Sequence, residues 1–110
     1  METKSKLLGM LGLARRAGRL SIGADLCCQS LRDGTAKLCV LVCDASQNTA
    51  KRIKSKSEFY GVKCICPSIT GSELSRAIGK DSDISAVAIN DENFASAIES
   101  IFKNCEERTE

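Results

Sequence analysis

The sequence predicts an α/β fold in which a mixed sheet of about four strands lies between two layers of helices, a three-layer α/β/α sandwich. Short apolar runs typical of buried strands alternate with segments whose apolar residues recur at helical spacing. Glycines and helix-capping residues separate most of these segments. At 110 residues the chain fits a single domain over residues 1–110, since compact domains commonly take about 100 to 150 residues.

Two helices joined by a short strand are expected in the first third of the chain. Apolar residues have helical spacing over residues 6–17, and Gly18 is placed to end this helix. Residues 19–22 predict a brief edge strand. A second helix is then expected to begin at Gly23 and to end at Gly34.

The second helix is predicted to be amphipathic, with Cys27 and Leu31 on its inward face. Its outward face is expected to carry four residues: Asp25, Leu26, Gln29 and Asp33.

Three further strands, each followed by a helix, are expected in the rest of the chain. The buried strands are predicted at three apolar runs: residues 38–43, 62–66 and 84–89. The first of them is expected to be central because it is apolar throughout. The helices have candidate caps in order: Ser46 or Asn48, then Thr70 in a capping box with Glu73, then Asn90 or Asp91.

The residue content argues against an enzyme and against a metal centre. The chain has seven cysteines but no histidine, which is the commonest general base and a common zinc ligand. No two cysteines have Cys-x-x-Cys spacing, and four lie in predicted buried strands, where a reduced thiol packs as a small hydrophobic group: Cys39, Cys43, Cys64 and Cys66. We therefore expect no metal and no cofactor.

Asp44 is the one residue that suggests an alternative enzymatic hypothesis. It follows a buried strand, where α/β folds often place functional acids, and a small phosphorylated ligand would be the substrate class. No phosphate-binding glycine loop and no activated nucleophile accompany it. We favour the interpretation that Asp44 caps a turn.

The charge is distributed unevenly along the chain. Residues 1–56 contain eleven Lys and Arg against four acidic residues, whereas residues 57–110 contain five against ten. A basic first half favours an anionic partner, with chance clustering on a solvated surface as the alternative. No secretion signal and no membrane-length apolar run are evident, so we expect a cytoplasmic protein without a membrane partner.

The most informative basic segment lies between the first two helices. Arg15, Arg16 and Arg19 precede the helix that begins at Gly23. Backbone N–H groups at a helix start bind phosphate, and neighbouring arginines add charge-assisted contacts. The segment predicts a clamp for a nucleic-acid backbone, with an ordinary helix connection and solvated arginines as the alternative.

The chain also resembles the ribosomal protein L7Ae/L30e family, most closely its small bacterial YlxQ-like members. The resemblance is carried by ARRAGRLSIGADLCCQSLRDGTAKLCVLVCDAS and extends through SELSRAIGK and AVAINDENFASAI. It implies a three-layer α/β/α sandwich that binds structured RNA without catalysis, in the best-known members a kink-turn.

The resemblance also implies where RNA binds. In the family, a glycine, an asparagine, a glutamate and a lysine at the start of the second helix contact the RNA, and they correspond to Gly23, Asp25, Leu26 and Gln29 here. Only the glycine is retained. The loop before the fourth helix packs on a flipped-out base in the family, and Ile69 could supply that apolar contact.

Two hypotheses of different classes follow. The first is binding of ribosomal or kink-turn-like RNA, with the ribosome as a candidate partner, through ten residues: Arg15, Arg16, Arg19, Gly23, Ala24, Asp25, Gln29, Lys37, Ile69 and Thr70. The second is a protein-interaction or self-association module that uses an exposed apolar patch around Leu26. The sequence does not give an oligomeric state.

Overall fold

A computed structural model describes residues 2–108, with side chains over residues 4–103. Nine elements follow one another: α1 (Glu2–Arg16), β1 (Leu20–Ile22), α2 (Ala24–Asp33), β2 (Leu38–Leu41), α3 (Gln47–Phe59), β3 (Cys64–Ile65), α4 (Gly71–Ala77), β4 (Ala86–Ile89) and α5 (Glu92–Arg108). The predicted α/β sandwich with a mixed sheet of four strands is confirmed.

The sheet has the strand order β1-β4-β2-β3. The β2 and β3 strands are parallel, whereas β4 is antiparallel to both β1 and β2. The predicted edge position of β1 and interior position of β2 are therefore confirmed. The third strand was predicted too long and too buried, because β3 pairs with β2 alone and keeps strand geometry only over Cys64–Ile65.

Each interior strand is covered on both faces. Leu38 and Val40 pack with side chains of α1, α4 and α5, whereas Cys39 and Leu41 pack with side chains of α2 and α3. This alternation follows from the two-residue side-chain period of a strand. Val87 belongs to the first of these faces.

The two ends of the sheet carry different groups. At the Gly23 end, where β1, β2 and β3 finish, Gly23 N donates to Ala86 O at 2.9 Å and Cys43 N donates to Ile69 O at 2.8 Å. At the Arg19 end, Asn90 N donates to Arg19 O at 2.8 Å. The α2, α3 and α4 helices all begin at the Gly23 end, because each follows a strand that finishes there.

The six cysteines whose side chains are described range from fully buried to exposed. Cys27 and Cys39 are fully buried, with their Sγ atoms 3.5 Å apart, and the contact with Cys39 together with burial raises the pKa of Cys27. Burial raises the pKa of Cys64 to about 11. The prediction that all the strand cysteines are buried was wrong for Cys43 and Cys66, which lie past the strand ends and are exposed.

Candidate nucleic-acid interface

The start of α2 is built on Gly23. Its φ of 101° and ψ of 155° lie in a region that side chains rarely adopt, and a Cβ placed there would have no neighbour within 4 Å. Glycine is therefore required by the backbone conformation and not by lack of space. Since Gly23 has no side chain to accept a hydrogen bond, it leaves the N–H groups of the first helical turn free for an anion or a base edge.

Side chains cap the neighbouring helices. Ser46 Oγ accepts a hydrogen bond from Thr49 N at 3.2 Å at the start of α3. At the start of α4, Thr70 Oγ1 accepts from Glu73 N at 3.1 Å while Glu73 Oε1 accepts from Thr70 N at 3.0 Å, which is the predicted capping box. The α2 start thus differs from these two in having backbone donors that no capping side chain occupies.

The loop before α4 lies at the same end of the sheet. Asp44 Oδ1 accepts a hydrogen bond from Gly71 N at 2.9 Å, so the loop after β2 is tied to the first residue of α4. This contact agrees with the turn-capping interpretation of Asp44. It also places Thr70, which is half-buried, at the Gly23 end.

The expected apolar contact from Ile69 was wrong. Ile69 is 1% exposed, and its side chain packs in the core with Leu74 and Ile65. The main chain here turns the isoleucine inward, where burial of its side chain stabilises the fold. An RNA base at this loop would meet backbone and polar groups.

The structure also separates the arginines from the helix start. Residues 20–22 form β1, so Arg19 and Gly23 lie at opposite ends of the sheet, about 13 Å apart at ~3.3 Å per extended residue. Arg15 and Arg16 end α1 and are exposed, near the Arg19 end. The predicted clamp is therefore not a compact one, because the short strand β1 lies between the arginines and the helix start.

Two basic residues, Arg19 and Lys37, lie at the Arg19 end. Arg19 Nε lies 3.5 Å from Asp91 Oδ2 while its side chain stays more than half exposed. Lys37 is exposed, and its backbone N donates to Ile89 O at 2.7 Å, just before β2 begins. These two side chains make the Arg19 end basic. A cation at the Gly23 end has to come from another part of the chain.

That cation is Arg52 of α3. Its Nη2 lies 2.9 Å from Asp25 Oδ1, and the hydrogen bond to Asp25 raises the pKa of the guanidinium. Asp25, Leu26 and Gln29 are exposed, as the helical spacing predicts, whereas Ala24 is half-buried. The sequence alone did not bring Arg52 to the α2 start, because the packing register of two helices is not visible in a linear pattern.

Other kinds of site find no support in the described residues. Among the side chains that the structure describes, residues 4–103, no group of three His, Cys, Asp or Glu residues is placed to hold a metal ion. None of the helices described there is both long enough and apolar enough to cross a membrane.

Comparison with known proteins gives the chain a family. The family model of the "Ribosomal protein L7Ae/L30e/S12e/Gadd45 family" matches residues 5–99. A protein of Enterococcus faecium named RNA-binding protein YlxQ is 34% identical over 87 residues, covering 79% of this chain and 84% of the relative. A protein of the same name from Bacillus subtilis strain 168 is 38% identical over 92 residues, covering 84% of this chain and 90% of the relative.

Solved structures have the same architecture. A protein of unknown function from Bacillus halodurans C superposes with a TM-score of 0.82 at 28% identity, covering 89% of this chain and 97% of that one. The Giardia lamblia 15.5kD RNA binding protein gives a TM-score of 0.76 at 17% identity, covering 97% of this chain and 90% of that one, and is evidence of the fold alone. From the family model and the two YlxQ relatives together, the chain belongs to the ribosomal protein L7Ae/L30e/S12e/Gadd45 family.

Proposed function

We propose that this protein binds structured RNA without catalysis and that the start of α2 is the docking point. The observation that carries the proposal is the uncapped start of α2, which opens at Gly23, at the end of the sheet where α4 also begins. Relatives at 34% and 38% identity are named RNA-binding proteins, which supports the class of ligand.

The contacts at this site are proposed to be mainly with the RNA backbone. The N–H groups of the first α2 turn donate to phosphate or to the edge of an extruded base, and Thr70, at the same end of the sheet, supplies a second contact. Asp25 and Gln29 provide an acceptor and an amide at the family's recognition positions. Because Leu26 offers no hydrogen bond there, the chain recognises RNA more by shape than by guanine edges.

The sharply bent duplex of a kink-turn, in ribosomal or other RNA, is the proposed target. Such a bend brings phosphates of two stems towards one protein surface. The basic residues at the Arg19 end are proposed to attract RNA at long range and not to clamp it: Arg15, Arg16, Arg19 and Lys37. The ribosome as partner would imply a cytoplasmic location.

Fluorescence anisotropy with two labelled RNAs tests this proposal. One is a kink-turn duplex, and the other is a fully paired duplex of equal length. We expect tighter binding to the kink-turn. Both affinities should fall when the salt concentration is raised from about 50 to about 200 mM, because phosphate contacts release condensed counterions. No binding to either RNA at the lower salt would refute RNA binding, and equal affinities would refute kink-turn preference.

A second proposed function, association with a protein or with a second copy of the chain, rests on Leu26. Its side chain is 51% exposed on the outward face of α2. Leu26→Glu should then abolish any assembly seen by analytical ultracentrifugation while leaving RNA binding intact or improved, because the family's RNA-contacting glutamate corresponds to this position. A wild-type protein that sediments as a monomer at all concentrations would rule out self-association.

A further inference from the structure

A groove of about 220 Å³ runs along the solvent side of the seam between α2 and α3. Asp25 and Arg32 line it from α2, and Arg52, Lys56 and Tyr60 line it from α3 and its C-terminal end. Since both helices begin at the Gly23 end, the groove leads away from the proposed docking point towards the Arg19 end.

The groove carries an excess of positive charge. Its one carboxylate, Asp25, already pairs with Arg52 at 2.9 Å. Neither Arg32 nor Lys56 makes an ion pair with a carboxylate in the part of the chain that the structure describes. Both side chains are exposed, so their charges are available to an anionic ligand.

The spacing of these cations fits a polymer better than a small anion. Asp25 and Arg32 are seven residues apart on α2, which at 1.5 Å per residue makes the groove about 10 Å long. On α3, Arg52 and Lys56 are one helical turn apart and therefore face the same side. A strand with repeated phosphates can contact the cations in succession, whereas one phosphate reaches only part of them.

Tyr60 closes the far end of the groove. Its ring packs edge-to-face on Phe59, with centroids 4.9 Å apart, which holds the aromatic pair at the end of α3. A tyrosine hydroxyl is one of the groups that commonly donates to phosphate oxygens.

We propose that the α2–α3 groove holds the backbone of an RNA strand that continues from the start of α2, with Arg32, Arg52 and Lys56 contacting successive phosphates. The inference rests on the proposed function and extends it by naming the second contact surface. It predicts that affinity depends on RNA beyond the bent segment itself.

The test compares two double variants of the full chain by anisotropy with the labelled kink-turn duplex. R32A/K56A removes two cations of the groove. K51A/K54A is the matched control, because it removes two exposed cations from α3 that do not line the groove. All four side chains are exposed, and circular dichroism checks that both variants are folded.

We expect R32A/K56A to bind about tenfold more weakly than wild type. The slope of log Kd against log salt concentration should fall by roughly two, because each of the two lost phosphate contacts contributes ~0.9 to that slope. K51A/K54A should lose less than about threefold. Tyr60→Phe, which removes only the hydroxyl, should cause a smaller loss than R32A/K56A.

Each outcome has a separate meaning. If wild type fails to bind the RNA, the proposed function itself is refuted. If wild type binds and the two double variants are equally affected, the groove inference is refuted while RNA binding stands. Displacement of the RNA by poly-glutamate at equal charge concentration would also overturn the inference, because it would identify an acidic protein as an equally good occupant.

Discussion

Gly23→Ala should lower both the stability of the fold and the affinity for RNA, because alanine is strained in the backbone conformation of Gly23. A Cβ at this position meets nothing within 4 Å, so no clash contributes. The cost comes from forcing alanine to a φ of 101° and a ψ of 155°, a conformation that carries about 1–3 kcal/mol of strain. In a protein of this size each 1 kcal/mol lowers Tm by about 4–8 °C. Relief of the strain would turn the first N–H groups of α2 away from the RNA.

The matched control is Gly79→Ala at the end of α4. Gly79 has a φ of +74° and also has open space around its missing Cβ, so alanine there costs about 1–2 kcal/mol of left-handed strain. It lies away from the α2 start. Urea unfolding gives the free energy of unfolding of both variants. Fluorescence anisotropy, at a temperature of about 15 °C so that both variants stay folded, gives their affinity for kink-turn RNA.

We expect Gly79→Ala to retain wild-type affinity while Gly23→Ala loses about tenfold or more, the loss of roughly one charge-assisted hydrogen bond. If Gly23→Ala were as stable as wild type, the account of its backbone conformation would be refuted. If both folded variants bound RNA equally well, the α2 start would not be the docking point.

Three further predictions concern packing, capping and thiol reactivity. Gly12→Ala places a Cβ 2.9 Å from the Ala77 carbonyl oxygen and should lower the free energy of unfolding by about 1–3 kcal/mol. Gly9→Ala, in open space on the same helix, should raise it by about 1 kcal/mol. Urea unfolding measures both, and equal effects of the two substitutions would contradict the packing described for Gly12. Thr70→Ala removes the capping-box acceptor and should cost about 1 kcal/mol in the same assay, and an unchanged midpoint would contradict the box. Cys66 should react with iodoacetamide in the native state and Cys27 only after unfolding, as peptide mass spectrometry can show, and equal labelling would contradict the burial pattern.

Much of the fold follows from local sequence. The capping box of Thr70 and Glu73 and the glycines that bound α2 were predictable because each depends on residues within a few positions of one another. The prediction of a long buried β3 overlooked Lys63, a charged residue inside the run and a feature typical of edge strands. What shortens β3 is its place at the sheet edge, which depends on the strand order of the whole chain.

The site was harder to predict than the fold. The strand predicted over residues 19–22 already implies a distance between Arg19 and Gly23, but the clamp was inferred from their closeness in sequence without that distance. Asp25 and Arg52 are distant in sequence, and only the packing of α2 on α3 brings them together. The inward turn of Ile69 likewise depends on the path of the β3–α4 loop over the core.

The most direct test of the central claim is an amide chemical-shift titration of the ¹⁵N-labelled protein with kink-turn RNA. The account predicts that the largest changes occur at Gly23–Leu26 and at Thr70–Gly71, with smaller changes along the α2–α3 groove. Changes confined to Arg15–Arg19 and Lys37 would contradict it, because they would place the RNA at the opposite end of the sheet.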